Sequence, residues 1–155
     1  MYNYCVTGSR KITLEDYVEI ALKIKQTPAK SWHVGDAKGV DACVRETLRK
    51  LTETYTIYHV AGRNRWNYAE RSIRMLKNCQ KQDGNPKLLA FLTKPCPPEV
   101  TPAKPFCGAG SGTWATVAMA KKMGIEIEVY YVHEVELPNW LTETQICYEQ
   151  LSLFG

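Results

Sequence analysis

The sequence predicts an α/β fold, a three-layer arrangement around a mainly parallel sheet of about five or more strands. Three observations point there. Short β-type runs alternate with helical patterns along the chain. One run, Lys87-Leu88-Leu89-Ala90-Phe91-Leu92, is apolar through its centre, which suits a strand covered on both faces. Glycine-rich turns follow strand runs three times: Thr7-Gly8-Ser9-Arg10, Gly35-Asp36-Ala37-Lys38-Gly39 and Gly108-Ala109-Gly110-Ser111-Gly112-Thr113.

Residues 2–6 form the first strand. Thr13 then reads as a helix N-cap with Asp16 three residues on, and Leu14, Val18, Ala21 and Leu22 make an apolar stripe that ends before Pro28. Residues 31–34 are a second strand. A second helix over 40–51 places Val40, Cys43, Val44 and Leu48 on one face. Residues 55–60, β-branched and aromatic, are the third strand. Trp66, Ala69, Ile73 and Leu76 recur at helical spacing through a third helix over 66–81. The apolar run 87–92 is the fourth strand. A fourth helix opens after Thr113 with Trp114-Ala115-Thr116-Val117-Ala118-Met119-Ala120, and 125–132 alternate as a fifth strand. Residues 93–107 carry five of the eight prolines, a stiff loop of the kind that serves as a lid or binding loop. The tail, 134–155, holds Trp140, Leu141, Ile146, Leu151, Leu153 and Phe154, which suit either an added helix or a dimer contact.

At 155 residues the chain reads as one domain, with a core over 2–132 and an extension over 133–155. A hydrophobic content of 45% with 23% charged residues is that of a soluble globular protein. The net charge of +4 fits an anionic small ligand and is too mild to argue for nucleic acid alone. No apolar run spans a membrane. Met1-Tyr2-Asn3-Tyr4-Cys5-Val6 enters a strand with no signal-peptide pattern, so a cytoplasmic location is expected. The six cysteines (Cys5, Cys43, Cys79, Cys96, Cys107, Cys147) form no CxxC pair and no zinc spacing, so no metal is expected. Cys5 and Cys43 read as buried apolar residues. Cys96 and Cys107 flank the proline-rich loop and read as free thiols in a reducing compartment, or else as a disulfide or metal pair.

In an open parallel sheet, ligands bind beyond the carboxyl ends of the strands. The loops there, 7–11, 35–41, 61–66 and 93–113, hold nearly all the unusual residues. Gly8, Ser9 and Arg10 offer a close backbone approach, a hydroxyl and a guanidinium suited to phosphate, or else an ordinary turn with a surface arginine. Asp36 or Asp41 is suited to a ribose hydroxyl, or else caps the second helix. Arg63, Arg65, Arg71 and Arg74 crowd twelve positions. Arg71 is the better ligand candidate, and Arg74 with Lys77 and Lys81 reads as a solvated face. Gly110, Ser111, Gly112 and Thr113 open a helix, where unpaired N–H groups and the helix dipole favour a phosphate. None of His33, His59 and His133 has a nucleophile at catalytic spacing.

Taken in order, Val6-Thr7-Gly8-Ser9-Arg10, His33-Val34-Gly35-Asp36-Ala37-Lys38-Gly39-Val40-Asp41, Arg71-Ser72-Ile73-Arg74-Met75-Leu76 and Gly110-Ser111-Gly112-Thr113 resemble the SLOG superfamily, and within it the YspA-related branch. That superfamily includes the lysine-decarboxylase-like LOG phosphoribohydrolases and DprA. The resemblance implies a Rossmann-like fold that binds a nucleotide or nucleotide-derived ligand. It assigns Gly8, Ser9 and Arg10 to the first loop and Gly35, Asp36, Gly39 and Asp41 to the second. Arg71 stands for the arginine of an Arg-Asn pair, with Ser72 in place of the Asn. Gly110, Gly112 and Thr113 are assigned to the phosphate loop. The glutamate of the LOG hydrolases falls on Thr116, which has no carboxylate to act as a general base.

The expectation is therefore a nucleotide-binding protein that senses or sequesters its ligand without a cofactor and assembles as a homo-oligomer, a dimer by resemblance. An N-glycosidase or phosphoribohydrolase using Asp36, Asp41 or Glu70 is the enzymatic alternative. Single-stranded nucleic-acid binding, supported locally by the basic cluster over 63–81, is the remaining one.

Overall fold

The computed structural model describes residues 1–141. The latter part of the tail, with Ile146, Cys147, Leu151, Leu153 and Phe154, lies outside the described residues. Five strands and four helices alternate: β1 (Tyr2–Gly8), α1 (Leu14–Gln26), β2 (Ala29–Gly35), α2 (Val40–Lys50), β3 (Tyr55–Tyr58), α3 (Arg65–Lys81), β4 (Asn85–Leu92), α4 (Gly112–Lys122) and β5 (Glu126–Tyr131). The strands form one sheet in the order β3-β2-β1-β4-β5, with every pairing parallel. This is the Rossmann-like α/β fold. The chain leaves β1 toward β2 on one side, and β4 lies on the other. The switch point where an open sheet parts its loops is therefore between β1 and β4.

Two apolar layers flank the sheet. Ile20 and Ile24 of α1 and Val40, Cys43, Val44 and Leu48 of α2 pack with Val6, Trp32, Val34 and Phe91. Met75, Leu76 and Cys79 of α3 and Trp114, Val117 and Ala118 of α4 pack on the other face with Leu88, Ala90, Ile127 and Val129. The inner strand β4 is buried from Leu88 to Leu92, as its unbroken apolar run predicts. Trp140 and Leu141 join the α3/α4 layer.

The first helix departs from the pattern read in its sequence. Most of its apolar stripe does not face the core: Leu14, Val18 and Leu22 are 80%, 62% and 43% exposed, and of the four only Ala21 packs against it. The buried face carries Asp16, Ile20, Lys23 and Ile24. Lys23 can lie inside because its ammonium meets Glu128 Oε2 of β5 at 2.8 Å. In α3, Trp66 is likewise 69% exposed, although it shares the spacing of the buried Ala69 and Leu76.

The N-terminus of α1 is a capping box. The Asp16 N–H donates to Thr13 Oγ1 and the Thr13 N–H donates to Asp16 Oδ2, each at 3.0 Å. Burial pushes the Asp16 carboxyl up, but the Thr13 N–H and the His133 ring, 3.1 Å from Oδ1, outweigh it and hold the group below its ordinary value. Its contribution is thus present above the ordinary aspartate range and is lost as pH falls through the lowered value. Thr13→Ala is expected to cost about 1 kcal/mol and lower Tm by about 2–4 °C. Thermal unfolding at neutral pH measures it, and an unchanged Tm would rule out the cap as a contributor.

On the opposite layer, His33 of β2 joins Tyr58 Oη at 2.7 Å and Gln82 Oε1 at 2.6 Å. Burial holds its pKa below the ordinary imidazole value, which favours the neutral ring. The residue ties β2 to β3 and to the end of α3, a structural role.

Candidate functional site

A cleft of about 940 Å³ opens at the carboxyl ends of β1 and β4, at the switch point of the sheet. Thr7 and Gly8 form its floor with Leu92. The start of α3 makes one wall, and the proline-rich loop with the start of α4 makes the other. Of the twelve candidate residues, Gly8, Ser9, Arg10, Asp41, Arg71, Gly110, Ser111, Gly112 and Thr113 line this cleft; Gly35, Asp36 and Gly39 do not.

The glycines divide by what surrounds them. A Cβ on Gly8 would meet Val40 at 2.5–2.6 Å, on Gly35 it would overlap the Arg71 guanidinium, and on Gly39 it would run into the Ser9 carbonyl. These three glycines make room for neighbouring protein atoms. At Gly110 and Gly112 a Cβ would meet nothing within 4 Å. Gly110 needs its glycine for a backbone φ of 86°, whereas Gly112 needs it for no contact and has no such φ. The third turn therefore borders open space at Gly110 and Gly112, while its Gly108 packs against the Arg65 guanidinium and the first two turns are packed.

At that turn Ser111 caps α4, its Oγ accepting from the Trp114 N–H at 3.2 Å. The Gly112 and Thr113 N–H groups, one residue into the helix and two, are left without an intrahelical acceptor. Trp114 anchors the wall from beneath by donating from Nε1 to the Lys94 carbonyl at 2.8 Å. Arg65, from the first turn of α3, donates to the Gly108 carbonyl at 2.9 Å and clasps the glycine-rich turn across the cleft.

Arg71 lies deeper. Its Nη1 is 3.4 Å from Asp41 Oδ2 and 3.7 Å from Asp36 Oδ1. Its Nε is buried without a hydrogen-bond partner among the described residues. Burial raises the Asp41 carboxyl above its ordinary value despite the opposing pull of Arg71 and the Ala37 N–H. Asp36 is turned away from the cleft. Its Oδ2 accepts from the Val60 N–H at 3.0 Å and its carboxylate also meets His59 at 3.7 Å, so it ties β2 to the segment after β3.

The cleft also holds Tyr68, Trp66, Lys11, Lys94 and Phe106, which the sequence did not single out as ligand candidates. Arg10 stacks on Tyr68, its guanidinium carbon 4.7 Å from the ring centroid. Trp66 stands exposed at the lip, and Lys11, Lys94 and Phe106 complete the lining. The lining residues carry five cations (Arg10, Lys11, Arg65, Arg71, Lys94) against one carboxylate, Asp41. Thr116 lies buried beneath the turn and donates from Oγ1 to the Gly112 carbonyl at 2.8 Å, an internal helix bond. Glu70 pairs with Arg74 at 2.9 Å and belongs to a smaller groove along α3.

No family model matches the sequence, and no curated protein does. Among solved structures the chain is similar to DNA processing protein A (DprA) from Streptococcus pneumoniae, with a TM-score of 0.59 and 12% identity. The match covers 99% of this chain and 56% of that one, so the chain spans little more than half the length of that protein. At this identity the likeness is one of fold. No helix among the described residues is long and apolar enough to cross a membrane.

Proposed function

We propose that this chain binds a phosphorylated, nucleotide-derived small molecule in the cleft between β1 and β4, to sense or sequester it. The carrying observation is the surplus of five cations over one carboxylate around a helix N-terminus whose Gly112 faces open space. A phosphate takes the Gly112 and Thr113 N–H groups, and Arg71 and Arg10 serve a second anionic group. Asp41, the one carboxylate of the lining, meets a sugar hydroxyl. Trp66 and Tyr68 offer flat faces to a base. The order of the four sequence motifs supports placing the chain in a SLOG-type family and its YspA-related branch. Thr116 bonds to its own helix and brings no carboxylate, which favours binding over LOG-type hydrolysis.

Calorimetric titration with AMP, ADP-ribose, NAD and inorganic phosphate tests the reading, together with mass spectrometry of whatever co-purifies. Gly112→Asp is the informative variant. A carboxylate in the first turn of α4 suits the helix dipole by about 0.3–1 kcal/mol but repels a phosphate at the same place. The expected outcome is a Tm equal to or above that of the wild type with affinity lowered at least about tenfold, a loss of about 1.4 kcal/mol. Folded wild-type protein that binds none of the four, or a Gly112→Asp variant that binds as well as the wild type, would defeat the proposal.

A second reading has its own observation. Trp66 also borders the α3 groove of about 430 Å³, with Ile73, Lys77 and Lys81. An exposed indole beside a track of cations suits a stacked base of a single strand, and the protein of similar fold is named for DNA processing. Single-stranded oligonucleotide at low salt discriminates the two: binding that survives Gly112→Asp and fails steeply with salt belongs to this groove.

A further inference from the structure

We propose that the Arg71–Asp41 pair couples binding in the cleft to proton uptake: an oxyanion of the ligand takes the free edge of the Arg71 guanidinium, and Asp41 accepts a proton from solvent as it docks. This rests on the binding reading above and adds its regulation by pH. The geometry of the guanidinium carries it. Both ion pairs of Arg71 run through one nitrogen, Nη1, which is 3.4 Å from Asp41 Oδ2 and 3.7 Å from Asp36 Oδ1. Nε is buried with no hydrogen-bond partner among the described residues. Nε and Nη2 carry parallel N–H donors, the edge of a guanidinium that grips an oxyanion bidentately. Arg71 lines the cleft with its side chain only 10% exposed, so an acceptor that reaches this edge meets it away from bulk water.

One guanidinium already faces two carboxylates, and the ligand oxyanion makes three negative groups around it. Asp36 has other support: it accepts from the Val60 N–H at 3.0 Å, meets His59 at 3.7 Å and is partly solvated. Asp41 is nearly buried and has little else. Facing it are Arg71 from α3, the Ala37 N–H of the preceding turn at a long 3.3 Å, and Arg45 from α2 itself. Arg45 commits its Nη1 to the Gly35 and Ala37 carbonyls, at 2.7 and 3.0 Å. The first turn of α2 favours a carboxylate through its dipole, a small effect beside burial. Gly35 packs so close that a Cβ on it would stand 2.5 Å from Asp41 Oδ2, so no water fits on that side to replace a weakened ion pair. Burial already holds the carboxyl above its ordinary value against the pull of Arg71. When the ligand takes a share of that pull the value rises further, and protonation removes one of the three negative groups. The neutral carboxyl can still meet a sugar hydroxyl. A carboxyl whose value is higher in the complex than in the free protein holds more protons in the complex. Affinity is therefore greatest at low pH and falls as pH rises between the two values, both above the ordinary aspartate range.

Calorimetric titration of the full-length chain with ADP-ribose, NAD and AMP, in buffers of different ionisation enthalpy between about pH 5 and about pH 8, counts the protons taken up. Asp41→Asn is the reference. It mimics the neutral carboxyl, leaves Arg71 paired with Asp36, and cancels any proton gained by the ligand's own phosphate. The wild type is expected to take up more protons than the variant, by about 0.3–1 per ligand bound. Its affinity for ADP-ribose should fall at least about tenfold across the range, a shift of about one pKa unit, while that of Asp41→Asn stays flat. Thermal unfolding checks that the variant folds. If it does not, the wild-type count with ADP-ribose decides alone, because the pyrophosphate of that ligand gains no proton in this range. Binding without proton uptake, or uptake undiminished in Asp41→Asn, overturns the inference and leaves the binding reading standing. Failure to bind any of the three overturns both.

Discussion

Arg71→Met is expected to cost about 3–5 kcal/mol of stability at neutral pH, because it leaves a buried carboxylate without its counter-ion. The Arg71 side chain is 10% exposed and that of Asp41 8%, with 3.4 Å between Nη1 and Oδ2. Burial already holds Asp41 above its ordinary value while Arg71 pulls it down. Without Arg71 that value rises further. A carboxyl with a raised folded pKa contributes stability that is fully present below the ordinary aspartate range and is lost as pH rises through the folded value. The deficit of the variant should therefore shrink toward pH 4, where Asp41 takes up its proton. Asp41→Asn in the same background should recover most of the loss at neutral pH. Urea unfolding at neutral pH and near pH 4 measures all three effects. A loss under about 1 kcal/mol, the scale of an exposed ion pair, or a deficit flat with pH, would show that Arg71 does not neutralise Asp41. On the nucleotide reading the variant also loses ligand affinity; the stability result holds without that reading.

The alternation of strand and helix was legible because each element carries its own period and its own punctuation. Thr13 with Asp16, the apolar centre of β4 and the turn chemistry between elements all act locally. The facing of α1 was not legible, for a reason that sits far away in the chain. A stripe of Leu14, Val18 and Leu22 reads as the inward face only if the charged positions between are excluded from the interior. Lys23 escapes that exclusion through Glu128, on the last strand, at 2.8 Å. Trp66 shows the same limit from the other side. Its spacing matches the buried positions of α3, but it sits in the first turn, at the cleft and ahead of the buried run that begins at Ala69.

The site was legible as a set of loops and less so as a set of contacts. All three glycine turns lie at the carboxyl end of the sheet, as chain order requires of parallel strands. What each glycine makes room for depends on a distant side chain. Val40 fills the space at Gly8 and Arg71 that at Gly35, while Gly112 borders the open cleft. Arg65 was legible within the cluster of arginines; its bond to the Gly108 carbonyl, from the start of α3 to the loop before α4, was not.

That difference gives the second large effect. Gly35 looks in sequence like a ligand-contacting turn, and Gly35→Ala is instead expected to act chiefly through the Arg71–Asp41 pair. The backbone at Gly35 is not in the left-handed region, so alanine brings no conformational strain. Its methyl, however, would overlap the Arg71 guanidinium and stand 2.5 Å from Asp41 Oδ2. The guanidinium is the far end of a flexible side chain and can swing toward the cleft, but doing so abandons Asp41. The expected cost is about 2–4 kcal/mol, between ordinary overpacking and full loss of a buried partner. The same methyl placed in an Arg71→Met background should cost clearly less than in the wild type, since the guanidinium it displaces is already gone and only its approach to Asp41 remains. Strong non-additivity in that double-mutant cycle is the signature of a shared partner. Losses that simply add would mean that Gly35 serves the turn itself, and the second glycine turn would then return to the list of surfaces a ligand can approach.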